Sequence, residues 1–96
     1  MRARRTDANH TQMVEALRAE GCTVWPLNDI VDVLIGYGGL TMLGEIKDGD
    51  KPLKKGRQAK FHATWTGGVY LLRRPEDAKT CAETLKRWKR AICASA

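Results

Sequence analysis

The chain is 96 residues long, with a formal net charge of +6 and a sequence pI near 9.6. That length supports one domain with one modest core, and 29% charged beside 43% apolar residues is a globular balance rather than a disordered one. No apolar run is long enough for a transmembrane helix, the basic start Met1-Arg2-Ala3-Arg4-Arg5 leads into no apolar signal segment, and the positive balance favours polyanionic partners, nucleic acid before an anionic membrane.

Residues 1–6 read as a basic arm, either a solvated terminus or a phosphate contact. Asp7 or Asn9 is placed to cap a first helix that runs to about Glu20 and stops at Gly21. His10, Met13, Val14 and Leu17 follow helical spacing and form its inward face, with Glu15 turned to solvent. His10, at the front of that stripe, is either a packing residue or a titrating or metal-ligating one. Cys22–Leu27 reads as a first strand, and Pro26 assigns it to an edge or a strand end. Asn28-Asp29-Ile30 forms a turn, in which Asp29 is an Asx-type turn residue or a competing acidic candidate.

The centre of the chain is an apolar hairpin: Val31 to Tyr37, a Gly38-Gly39 turn, then Leu40 to Lys47. Three charges interrupt it: Asp32, Glu45 and Lys47. Buried charge must be paired or bound to metal. Side chains alternate along a strand, so Leu43, Glu45 and Lys47 share one face and Met42, Gly44 and Ile46 the other. Asp32, on the preceding strand, reaches the same pair if the register allows. Two carboxylates and a lysine converging at a hairpin end are the composition of a divalent-metal phosphodiester site.

Asp48-Gly49-Asp50 leaves the hairpin as a turn, and Lys51, Lys54, Lys55 and Arg57 follow it as a basic stretch, placed where a phosphate backbone would lie. Residues 58–66 read as a second helix with Gln58, Phe61, His62 and Trp65 on one face. Phe61 and Trp65 are expected in the core, and Gln58 is expected to point back at the hairpin. Gly67-Gly68 breaks this helix, Val69 to Leu72 is a fourth strand, and Arg73-Arg74 ends it. Pro75 opens a third helix, with Glu76 and Asp77 complementing its N-terminal dipole. Its apolar stripe is Ala78, Cys81, Ala82, Leu85, Trp88 and Ile92, and it is basic elsewhere: a packing helix, with a second DNA-contacting or dimer role left open. Cys22, Cys81 and Cys93 have no metal-site spacing and read as reduced thiols of a cytosolic protein. The order α-β-β-β-α-β-α implies an α/β fold in one domain over residues 7–96, a central mixed sheet flanked by helices.

With Asp32 before Glu45-Ile46-Lys47 and Gln58 after them, the chain resembles the PD-(D/E)xK nuclease superfamily, in the flavour of small phage-type nucleases and VRR-NUC or Holliday-junction-resolvase-like domains. Asp7-Ala8-Asn9 and Val31-Asp32-Val33-Leu34 also match that flavour, except that Val31 stands where the family has proline and no first-helix acid is evident. The resemblance implies a restriction-endonuclease-like α-β-β-β-α-β core plus a C-terminal helix. It implies Mg²⁺ or Mn²⁺ on Asp32, Glu45 and the Ile46 backbone carbonyl, with Lys47 and Gln58 acting on the water or phosphate. It also implies endonuclease cleavage of DNA to 5′-phosphates in the cytoplasm of a bacterial or phage-infected cell. A homodimer would supply two sites for cutting two strands. A non-catalytic nucleic-acid-binding module on the same fold, and a structural ion-pair cluster, are the alternatives.

Overall fold

In a computed structural model the described residues are 8–27, 29–48 and 56–95. They form a small α/β domain in the order α1 (Ala8–Ala19), β1 (Thr23–Pro26), β2 (Val33–Tyr37), β3 (Leu40–Ile46), α2 (Arg57–Thr64), β4 (Val69–Leu72) and α3 (Pro75–Ser95). The four strands make one sheet in sequence order, antiparallel from β1 to β3 and parallel between β3 and β4. The expected element order and mixed sheet are observed, with the central hairpin as the two inner strands. Among the described residues no helix is long and apolar enough to cross a membrane.

The first helix ends because Gly21 takes φ +93°. There the Cys22 N–H reaches the Leu17 carbonyl (3.1 Å) and the Gly21 N–H the Arg18 carbonyl (3.0 Å), a Schellman closure. Its apolar partners, Leu17 and Cys22, both enter the core. Asn9 does not cap this helix: it lies in the first turn, and its amide donates to the Lys47 carbonyl (3.0 Å). Asp7 lies outside the described residues. Between β2 and β3, Gly38 and Gly39 both have positive φ (+54° and +90°), as a two-residue type I′ turn requires.

One sheet face carries Val24, Val33, Ile35, Met42, Ile46 and Leu72, and α1 and α3 close over it with Met13, Leu17, Ala78, Cys81, Ala82 and Leu85. The residues opposite in parity, Trp25, Leu34, Leu43 and Leu71, lie on the other face and are exposed or half-buried. Glu45 shares their face yet is buried. The strand alternation expected for residues 42–47 is therefore observed. Cys22 and Cys81 are buried free thiols, both raised by desolvation, Cys81 to about 12, so they stay protonated and inert; Cys93 is free and exposed.

Four apolar expectations need correction. Phe61 is only half-buried and outside the core cluster, and Trp65 is 48% exposed and stacked on it at the end of α2, which buries no residue fully. Trp88 and Ile92 continue the buried stripe of α3 but are exposed, 44% and 57%. At 21 residues, α3 outruns the sheet beneath it. Its basic residues hold the turn end of the hairpin: the Lys89 ammonium donates to the Gly38 carbonyl (3.2 Å), and Lys86 lies between Glu20 (3.8 Å) and the Tyr37 ring (6.0 Å).

Gly44 is the tightest point under the helices. A Cβ there would stand 2.8 Å from Val33 Cγ2 and 2.9 Å from Ile35 Cδ1. Overpacking of this kind costs about 1–3 kcal/mol. Gly44→Ala is expected to lower unfolding free energy by that amount in urea denaturation with an unchanged m-value; an unchanged midpoint would show that the core yields at this point.

Candidate functional site

The site lies at the end of the hairpin remote from its glycine turn. β2 leaves regular pairing at Asp32, in the manner of a β-bulge. The Asp32 N–H reaches the carbonyl of Gly44 (3.0 Å), the residue already opposite Val33, and the Asp32 carbonyl accepts from Leu27 N–H (2.8 Å). The next ladder position is filled by a side chain: Ile46 N–H donates to Asp32 Oδ2 (2.8 Å). This fixes the Asp32 carboxylate against β3, beside the carboxyl of Glu45, with which it comes within hydrogen-bonding reach.

Glu45 is 2% exposed. Its Oε2 accepts a hydrogen bond from the Gln58 amide nitrogen at 3.0 Å and forms an ion pair with the Lys47 ammonium at 3.6 Å. Lys47 is itself only 11% exposed, so this is an ion pair largely withdrawn from water. Gln58 also donates to the Ile30 carbonyl (3.3 Å), which ties the first turn of α2 to the segment before Asp32. Glu45 Oε1 has no hydrogen-bond partner. Burial first, then the charge of Asp32, push the Glu45 carboxyl up to about 7; Lys47 and Gln58 act in the opposite direction.

Asp32, Glu45, Lys47 and Gln58 are thus brought together as the sequence suggested. His10 lines a cleft of about 350 Å³ with Thr11, Val14, Glu15, Arg18, Val24 and Pro26. A first-helix residue that reaches the site strand is its neighbour Asn9. The sequence offers Asn9 as a cap and, within Asp7-Ala8-Asn9, as part of the opening motif of the resemblance, but its amide carries no signal of this contact 38 positions away. Arg57 opens α2 and pairs with Asp29 at 3.3 Å, both side chains well exposed. His62, one turn beyond Gln58, has a buried Nε2 without a partner. Lys51, Lys54 and Lys55 lie outside the described residues.

The donor set suits a hard cation in kind: two adjacent carboxylates and an orphaned, buried carboxylate oxygen. Ile46 adds a carbonyl. On a strand a residue's C=O points to the same side as its N–H, and the Ile46 N–H points at Asp32. Among the described residues no group of three or more His, Cys, Asp and Glu side chains is placed to hold a metal ion, so any ion here would rely on the two acids, backbone and water. The chain matches no protein-family model, no curated protein and no solved structure.

A carboxyl whose folded-state pKa stands above its unfolded value weakens the fold as it ionises. Between about pH 4.5 and 7 the folded state holds a proton on Glu45 that the unfolded chain has released. In metal-free buffer, stability is therefore expected to fall across that window, by on the order of 1 kcal/mol per pH unit at most, and to level off above it. Glu45→Gln removes the titration while keeping an acceptor for Gln58 and offering a donor toward Asp32. Thermal or urea unfolding from pH 5 to 8 should show a flatter profile and a higher stability at pH 8 for Glu45→Gln than for the parent. A variant less stable than the parent at pH 8 would contradict this account of the buried acid.

Proposed function

We propose that the chain is a divalent-metal-dependent endonuclease hydrolysing DNA phosphodiester bonds, with a restriction-endonuclease-like core. The observation that carries this reading is the buried Glu45, with one oxygen held by Lys47 and Gln58, the other unpartnered, and Asp32 alongside. A structural ion pair is served by one acid and one base. A second acid beside the first raises the cost of both, and serves a purpose where a cation is to be held.

Asp32, Glu45 and the Ile46 carbonyl would hold Mg²⁺ or Mn²⁺, which when bound supplies an acidified water and positive charge against the scissile phosphate. The chain's own residues do the rest. The bond from Ile46 N–H fixes Asp32 Oδ2, so its carboxylate is oriented before any ligand arrives. Gln58 and Lys47 share Glu45 Oε2 and leave Oε1 as the oxygen available to a ligand. Lys47 brings a cation to the strand end, where a phosphate's developing charge would meet it. Lys51, Lys54 and Lys55 follow directly in sequence and would carry flanking phosphates, making affinity fall steeply with salt. With little surface for reading bases, cleavage would be structure-selective or weakly sequence-specific. A homodimer would supply the second site for a second strand.

The test is cleavage of supercoiled plasmid, single strands, flaps and four-way junctions in Mg²⁺, Mn²⁺ or EDTA. Asp32→Ala and Lys47→Ala are run in parallel, with folding followed by circular dichroism. Nicking that needs the metal and drops at least about a hundredfold in both variants is expected. Cleavage in EDTA, or undiminished cleavage by folded Asp32→Ala, sinks the reading. Salt-sensitive DNA binding with no cleavage in either metal leaves the non-catalytic binding module.

A further inference from the structure

We infer that the open face of the sheet is a stacking platform for unpaired bases, with Trp25 as its anchor, and that the substrate therefore carries a single-stranded segment beside the bond cut. The inference rests on the nuclease reading for the position of the scissile bond and adds the substrate class.

Trp25 stands on β1 and is 70% exposed, an unusual state for the largest apolar side chain. Register places it in one row with Leu34 of β2, Leu43 of β3 and Val69 of β4. Glu45 lies two residues beyond Leu43, so the indole and the buried acid occupy the same sheet face. Two strand spacings across and one pleat repeat along put their Cα positions roughly 12 Å apart, a span of a few nucleotides in an extended strand. Beside the indole runs a shallow groove of about 280 Å³, lined by Thr23, Trp25, Leu34, Gly36 and Thr41 on this face. Gly36 presents no side chain, and Leu34 adds an apolar surface. An exposed ring beside such a groove offers π-contact to any base without reading its identity, which is how sequence-tolerant binding of single strands works.

Charge favours this occupant: the chain carries +6, and a polyanion is drawn in. Edge-to-edge pairing of two β1 strands is poorly served. β1 spans only four residues and ends in Pro26, which offers no backbone donor. A paired duplex keeps its bases stacked on one another and so gains nothing from the indole.

Binding of a short fluorescein-labelled oligothymidylate in EDTA tests the inference without any cleavage. Trp25→Ala is expected to weaken it about tenfold or more. Trp25→Phe should retain most of the affinity but lose the tryptophan quenching seen on binding. Trp88→Ala, on the far helix, should change neither, and a blunt duplex should bind the parent and Trp25→Ala alike. Unchanged oligothymidylate binding by Trp25→Ala, equal weakening for duplex, or a parent dimer that sediments as a monomer after Trp25→Ala would each overturn it, the last by assigning the face to self-association. Trp25-dependent binding without metal-dependent cleavage would instead remove the nuclease reading and leave the platform standing.

Discussion

A carboxylate that is 2% exposed, with a second carboxylate beside it, is the constraint around which this small domain is arranged. Desolvation and like charge both oppose its ionisation, and neither Lys47 nor Gln58 reverses the balance. The surrounding chain is shaped by that conflict. β2 breaks register at Asp32, a side-chain oxygen replaces a ladder carbonyl, and α2 begins with an amide aimed at Glu45. A core of this size gains nothing in stability from such a cluster. Replacing it with apolar side chains of similar volume would be neutral or better. Under the proposed function its presence is explained by the cation it would hold.

The sheet is unequal on its two faces and at its two ends, and both inequalities serve the cluster. One face is closed by α1 and α3 and carries nearly all of the apolar core. The other is covered only in part, so Glu45 sits buried at the margin of an otherwise open surface. At the turn end, Lys89 and Lys86 of α3 hold Gly38 and Tyr37. At the opposite end the strands carry Asp32, Glu45 and Lys47. The hairpin is thus pinned at the end without chemistry, which keeps its register and therefore the facing of its acids. A slip of one residue would send Glu45 into the apolar face and Ile46 out of it.

What could be read from the sequence follows from the period of each element. Alternation along β3 placed Leu43, Glu45 and Lys47 against Met42, Gly44 and Ile46, because a strand's period of two leaves no other arrangement. Pro26 marked an edge, Gly21 a helix end and Gly38-Gly39 a turn, each by a backbone preference that is local to the residue. The failures share a cause. Periodicity assigns a face to a helix but not the extent of what covers it, so Phe61, Trp65, Trp88 and Ile92 read as core although their helices run past the sheet or lie loosely on it. The reach of Asn9 to Lys47 was missed for the same reason. Helical spacing fixes angle around an axis, whereas which side chain meets Lys47 depends on where that axis lies. The bulge at Asp32 has no signature in the residues, since it follows from pairing between strands.

The weakest element, α2, bears directly on the site. Eight residues make an isolated helix marginal, and this one buries no residue fully. Gly56 at its N-terminus gives no side-chain cap, and the Arg57–Asp29 pair is too exposed to be worth much. The two hydrogen bonds of Gln58, to Glu45 and to Ile30, are its best-buried polar anchors. Because one of them ends on a carboxyl whose ionisation is finely balanced, the position of α2 and the charge of Glu45 are coupled. A charged Oε2 accepts more strongly than a protonated one, so whatever draws the proton from Glu45 also tightens α2 onto the hairpin. In a fold with so little core under this helix, that bond is one route by which the charge of Glu45 reaches the rest of the chain.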